Sequence, residues 1–186
     1  MKEKMKLIWF VLALAFWLAA CDGQINEANK LVDEGNAIVQ KNNATSVKAG
    51  DMFNDLMGAN LVQADDLAEY KAANKAKFDE LLTMYDQLEK GGNEAAGKFE
   101  QASKLKAGDK FQEYAGLKAQ EFKKRAEIDK ASGAFLKAFL AEKDVEKADQ
   151  QIIDFNKKNG DMGKEADGIK AKAEQIVKDN PSVFKN

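Results

Sequence analysis

Ten positions taken from Val145 in alternating steps of three and four read Val145, Ala148, Ile152, Phe155, Asn159, Met162, Ala166, Ile169, Ala173 and Ile176. Nine are apolar, and the phase holds for about five heptads, as a helix packed along its whole length requires. Asp144 precedes the run as a candidate N-cap, and Pro181 forbids continuation shortly after Lys178. Pro181 is the only proline among 186 residues. With so few breakers and few β-branched or aromatic runs, strands have little to be built from.

The same spacing recurs upstream. Ile25, Ala28, Val32, Gly35, Val39, Asn42, Ser46, Ala49, Phe53 and Leu56 share one seam, widened by Leu31, Ile38 and Met52, and Gly58-Ala59-Asn60 ends it. A second run begins near Asp65 or Asp66 and carries Leu67, Asn74, Phe78, Leu81, Tyr85, Leu88, Gly92, Ala95, Phe99 and Ala102. Gly91-Gly92 looks like a break, at about 1 kcal/mol per glycine against alanine inside a helix. Yet the phase is unchanged across the pair, and a loop has no reason to keep phase, so the spacing predicts an unbroken or locally kinked helix. Ala107-Gly108-Asp109 ends this run and caps a third, with Phe111, Tyr114, Leu117, Phe122, Ile128, Ala131, Phe135 and Phe139 on a broader face.

The expected architecture is all-α: four helices at about 24–57, 66–106, 109–141 and 144–179, joined by short connections. Such connections favour an elongated antiparallel four-helix bundle with coiled-coil-like packing. Helices of about 35 residues make a rod on the order of 50 Å long. The alternative is an elongated three-helix or helical-repeat arrangement in which the Gly91-Gly92 joint opens.

The N-terminus carries a different signal. Met1–Lys6 holds three lysines, and residues 7–20, LIWFVLALAFWLAA, hold no polar residue. Fourteen residues fall short of the roughly 20 that span a bilayer, but they suit the apolar region of a secretory signal. An uncleaved N-terminal anchor is the competing reading. Leu18-Ala19-Ala20-Cys21 then resembles the lipobox of bacterial lipoproteins: a leucine, two small residues and a cysteine. The resemblance covers about the first 21 residues. It implies cleavage before Cys21 by a signal peptidase that recognises Leu18, Ala19 and Ala20, and a diacylglyceryl group, carrying palmitate-type chains, joined to the Cys21 sulfur. Each buried CH₂ contributes about 0.8 kcal/mol to such an anchor, and more than one chain is needed for a stable hold. Asp22 resembles the sorting residue that retains enterobacterial lipoproteins in the inner membrane.

On this reading, residues 1–20 are a removed signal peptide and 21–24 a lipidated cysteine with a short tether. Residues 25–180 form one bundle domain, and 181–186 a tail. Trp9 and Trp17 are the two tryptophans, so the mature protein has no tryptophan emission. The formal charge of −2 becomes −4 once three lysines and one glutamate leave with residues 1–20. Arg125 is the only arginine, and a mildly acidic chain with a single guanidinium is poorly equipped for nucleic acid.

Enzyme chemistry has little to draw on. The chain has no histidine, its one cysteine is the lipid acceptor, and no GxxxxGK[ST] loop is present. No cofactor or metal is expected, and the acidic residues interspersed with lysines suit a solvated helical surface. Two features stand out. Asn42 and Asn159 lie near the middles of the first and last helices, where one polar core layer joining them would fix register. A sharper reading makes that layer a small ligand cavity beside Gly160 and Gly163. The apolar stretch Ser132–Leu140 either closes the end of the bundle or offers a partner surface.

The expected function is a lipid-anchored, extracytoplasmic helical interaction or scaffolding protein, non-catalytic and held to a membrane through Cys21, with a protein partner and no nucleic acid. Alternatives are a bundle that binds a small molecule in its core and an ATP-independent chaperone-like protein of the periplasm.

Overall fold

A computed structural model describes residues 2–58, 61 and 66–184, with side chains from residue 23 onward. The side chains of Leu18, Ala19, Ala20, Cys21 and Asp22 therefore lie outside the described residues, as do Ala59, Asn60 and Asp65. Among the described residues there are five helices and no strand: α1 (Lys2–Met57), α2 (Leu67–Ala73), α3 (Lys75–Ser103), α4 (Asp109–Ala141) and α5 (Val145–Asp179).

The third and fourth expected spans match α4 and α5 to within a residue. The second arrives in two pieces, α2 and α3, joined at Asn74. The backbone hydrogen bonds run through the joint, Asn74 N to Tyr70 O and Phe78 N to Asn74 O, each 3.1 Å. The Asn74 side chain also donates to Tyr70 O at 3.0 Å, so it competes for the helix's own acceptor where the backbone leaves helical geometry, at φ −101° and ψ 10°. By contrast α3 crosses Gly91-Gly92 unbroken, as the conserved phase predicts.

Helix ends follow capping rules. Asp66 Oδ1 accepts from Ala68 N at 2.7 Å and Glu69 N at 2.9 Å, and Asp144 Oδ1 accepts from Lys147 N at 3.2 Å. Gly108, at φ 98°, makes the left-handed step between α3 and α4 that a β-carbon would oppose. At the end of α4, Lys71 is buried and donates to Phe139 O at 2.5 Å and Glu142 O at 2.6 Å. An ammonium there satisfies orphan carbonyls at the negative end of the helix dipole.

Successive arms run antiparallel. Glu34–Lys98 (2.7 Å) and Asp55–Lys77 (2.9 Å) set the register of α1 on α3. Phe99–Phe122 (5.5 Å between centroids) and Phe78–Phe139 (6.0 Å) set that of α3 on α4. Phe135–Phe155 (4.2 Å) and Arg125–Asp167 (3.1 Å) set that of α4 on α5. These three pairs pack along their lengths, and α1 also meets α5 where Phe53 lies 5.6 Å from Phe155. The molecule is an all-α bundle.

The core comes in three clusters along the rod. An aromatic one contains Leu56, Phe78, Leu81, Phe135, Leu136, Phe139 and Phe155. A middle one contains Ala95, Ala96, Phe99 and Phe122, and a third gathers Ala28, Ala102, Phe111 and Ala115 with Phe184 packed on them. Phe135, Leu136 and Phe139 are all core, so the apolar stretch 132–140 closes the bundle rather than offering a free surface. Among the described residues no helix is long and apolar enough to cross a membrane.

Candidate ligand cavity between three helices

Between the aromatic and middle clusters the packing opens into a cavity of about 200 Å³ bounded by α1, α3 and α4. Val39, Leu88, Ala95, Phe122 and Ile128 supply apolar wall, and Asn42, Asn43, Ser46, Arg125 and Asp129 supply polar groups. The glycine pair shapes it. A β-carbon on Gly91 would overlap the Asn42 amide nitrogen, and one on Gly92 would meet Ala126 Cβ at 3.0 Å. Two glycines on α3 thus let Asn42 and the α4 backbone come close, and they remain helical because the surrounding packing outweighs their poor propensity.

Arg125 is committed within the protein. Its Nε donates to Glu121 Oε1 at 3.0 Å and its Nη2 to Asp167 Oδ1 at 3.1 Å. Glu121 is 2% exposed and also receives Lys118 Nζ at 2.6 Å, while that ammonium lies 4.5 Å from the Phe122 ring centroid. Asp129 is not held in this way: it feels the charge of Arg125 but makes no hydrogen bond and no close ion pair among the described residues. Burial pushes its carboxyl up to about 7 and Glu89 adds to the rise, while Arg125 opposes it. Tyr85, on α3, is pushed up to about 12 by its own burial and by Asp129, against a hydrogen bond with Ser132.

The expected polar layer is not formed. Asn42 packs on Gly91 and lines the cavity, whereas Asn159 is not among the lining residues. With Phe53 beside Phe155 in antiparallel helices, Asn42 falls level with residue 166, about 10 Å along the axis from Asn159. Asn159 Oδ1 is instead buried without a hydrogen-bond partner in the protein. Gly160 and Gly163, expected beside a cavity, have open space where a β-carbon would sit.

Asp129 had a legible signal that the broad third face obscured. It occupies the same three-four phase as Phe111, Ala115, Phe122, Ala126 and Leu136, a seam on which an unpaired carboxylate is rare. Its proximity to Arg125, Glu89 and the glycine pair belongs to long-range packing and had no local trace. Among the described residues no group of three or more His, Cys, Asp or Glu could hold a metal ion. No known protein family, curated protein or solved structure matches this chain.

Proposed function

We propose that the protein is a bacterial lipoprotein: a non-catalytic helical interaction module anchored through lipid on Cys21 to the outer side of the cytoplasmic membrane. The N-terminal order of lysines, apolar run, Leu18-Ala19-Ala20 and Cys21 supports the anchor. The single observation that carries the interaction role is the shortness of the join between anchor and body. The α1 backbone continues without a break past Cys21, Gln24 Oε1 accepts from Lys106 N at 2.9 Å in the α3–α4 turn, and Ala28 is fully buried.

A long flexible leash lets a tethered domain search in all directions. Here only residues 22–24 intervene, so the body moves with its anchor. From Ala28 to Leu56 the helix rises about 40 Å, which holds the α1–α2 and α4–α5 connections away from the anchored end. That geometry suits presentation of a fixed surface to a protein partner in the envelope.

In-cell cross-linking with mass spectrometry, comparing the native protein with Cys21→Ala, tests this. Specific partners that disappear in the variant are expected. A partner set unchanged in Cys21→Ala would remove the anchor from the mechanism, and an empty set would remove the interaction role. A second reading, a bundle that holds a small molecule, is favoured by the cavity at Asn42 and Asp129.

A further inference from the structure

We propose that the cavity between α1, α3 and α4 takes a small organic cation, its ammonium on the Asp129 carboxylate and its apolar body against Val39, Leu88, Phe122 and Ile128. The inference rests on the small-molecule reading above and names the chemistry of the ligand.

Size comes first. An apolar cavity of about 150 Å³ accommodates benzene, so about 200 Å³ admits a ring with a short substituent. The lining holds both parts such a ligand would need: an aromatic and aliphatic wall, and polar groups on Asn42, Asn43, Ser46, Arg125 and Asp129.

Charge then selects the sign. The charged groups lining the cavity are Arg125 and Asp129, and Glu89 is close enough to act on Asp129. Lys118 and Arg125 converge on Glu121, Arg125 also holds Asp167, and Lys130 lies 3.6 Å from Glu89. Arg125 is thus held by two carboxylates outside the lining, and the carboxylate in the cavity wall is left without an ion pair. An anionic ligand would have to take Arg125 from two carboxylates and lie beside a third. A cation finds an unmatched acceptor, with the side-chain oxygens of Asn42, Asn43 and Ser46 available to the remaining N–H groups.

The raised affinity of Asp129 for a proton agrees with this reading, because a desolvated carboxylate takes whichever cation is offered. A proton and an ammonium then compete for it, so binding strengthens as pH rises through about 7. Burial sets this window first, opposed by Arg125 on the same helix and aided by Glu89 from α3; Tyr85 of α3 also lies near the carboxylate and is neutral there. The α1 side of the lining is neutral, and α5 contributes Asp167 through Arg125.

The test uses the full-length protein in nanodiscs, following the Gly91 and Gly92 amide resonances while phenethylamine, 2-phenylethanol or 3-phenylpropionate is added. These probes share a ring and chain but carry a cation, a neutral hydroxyl and an anion. Saturable phenethylamine binding is expected at pH 8, at least tenfold tighter than either analogue. It should fall at least tenfold in Asp129→Asn and stay unchanged in Asp154→Asn on the exposed face of α5. Equal binding of amine and alcohol, or undiminished binding to Asp129→Asn, would overturn the cation assignment while leaving a small-molecule site. No response of Gly91 or Gly92 to any probe would overturn both.

Discussion

Helices α3 and α5 carry equally regular apolar seams, yet they are buried to different depths. Of 29 residues in α3, ten are buried, including Phe78, Leu81, Tyr85, Leu88 and Phe99. Of 35 in α5, five are buried, and three of those are alanines. The difference is position. α3 packs along its length on both α1 and α4, whereas α5 packs along its length on α4 alone. A three-four seam states that a helix has a buried side, but it does not state how many neighbours cover that side.

The largest expected effect belongs to α3. Phe99 is fully buried and stacks on Phe122, so Phe99→Ala should cost about 3–5 kcal/mol in urea unfolding. Ile169, on the α5 seam but only partly buried, should cost about 1 kcal/mol when cut to alanine. Equal costs would erase the distinction between the two helices.

Next comes the cavity that α3 shares with α4. A carboxyl whose folded-state value is raised opposes folding once it is ionised. The opposition is absent below about pH 4, grows as pH rises towards about 7, and is complete above that. Asp129→Asn should therefore stabilise the protein by about 2–3 kcal/mol at pH 8 and by little at pH 4, read from paired urea titrations. A gain independent of pH would contradict the burial of that carboxyl.

Smaller effects sharpen the picture of α5. The Asn159 acceptor is buried without a partner, so Asn159→Leu should raise thermal stability by about 1 kcal/mol. Smallest is the contrast between glycines. Gly168 on α5 has nothing near a would-be β-carbon, and Gly168→Ala should gain about 0.5–1 kcal/mol. Gly35 on α1 has Phe99 Cε2 at 2.8 Å from that position, so Gly35→Ala should lose stability instead. Calorimetric melting of the two variants gives the signs.

How much of this was legible depends on the range of each signal. Whereas the first helix begins at Lys2 and not near 24, the spans of the last two helices, the cap at Asp144, and continuity through Gly91-Gly92 are written in neighbouring residues. They emerge because capping and seam phase act within a few turns. The interruption at Asn74 escaped because an asparagine on a seam reads equally well as a core amide or a backbone competitor. Pairing Asn42 with Asn159 assumed that midpoints of two helices coincide. The stagger set by Phe53 and Phe155 moves them apart, and Asn42 meets Gly91 of a different helix. The cavity lay beyond reach for the same reason: Asp129, Gly91 and Asn42 are far apart in the chain, and only the register of three helices brings them together.

The anchoring of the protein is tested most directly by intact mass spectrometry on the chain purified from its native membrane, together with its fluorescence. The expected chain begins at Cys21, is heavier than the polypeptide by its lipid, and has no tryptophan emission. A chain that retains residues 1–20, with Trp9 and Trp17 emitting and Cys21 a free thiol, would contradict it.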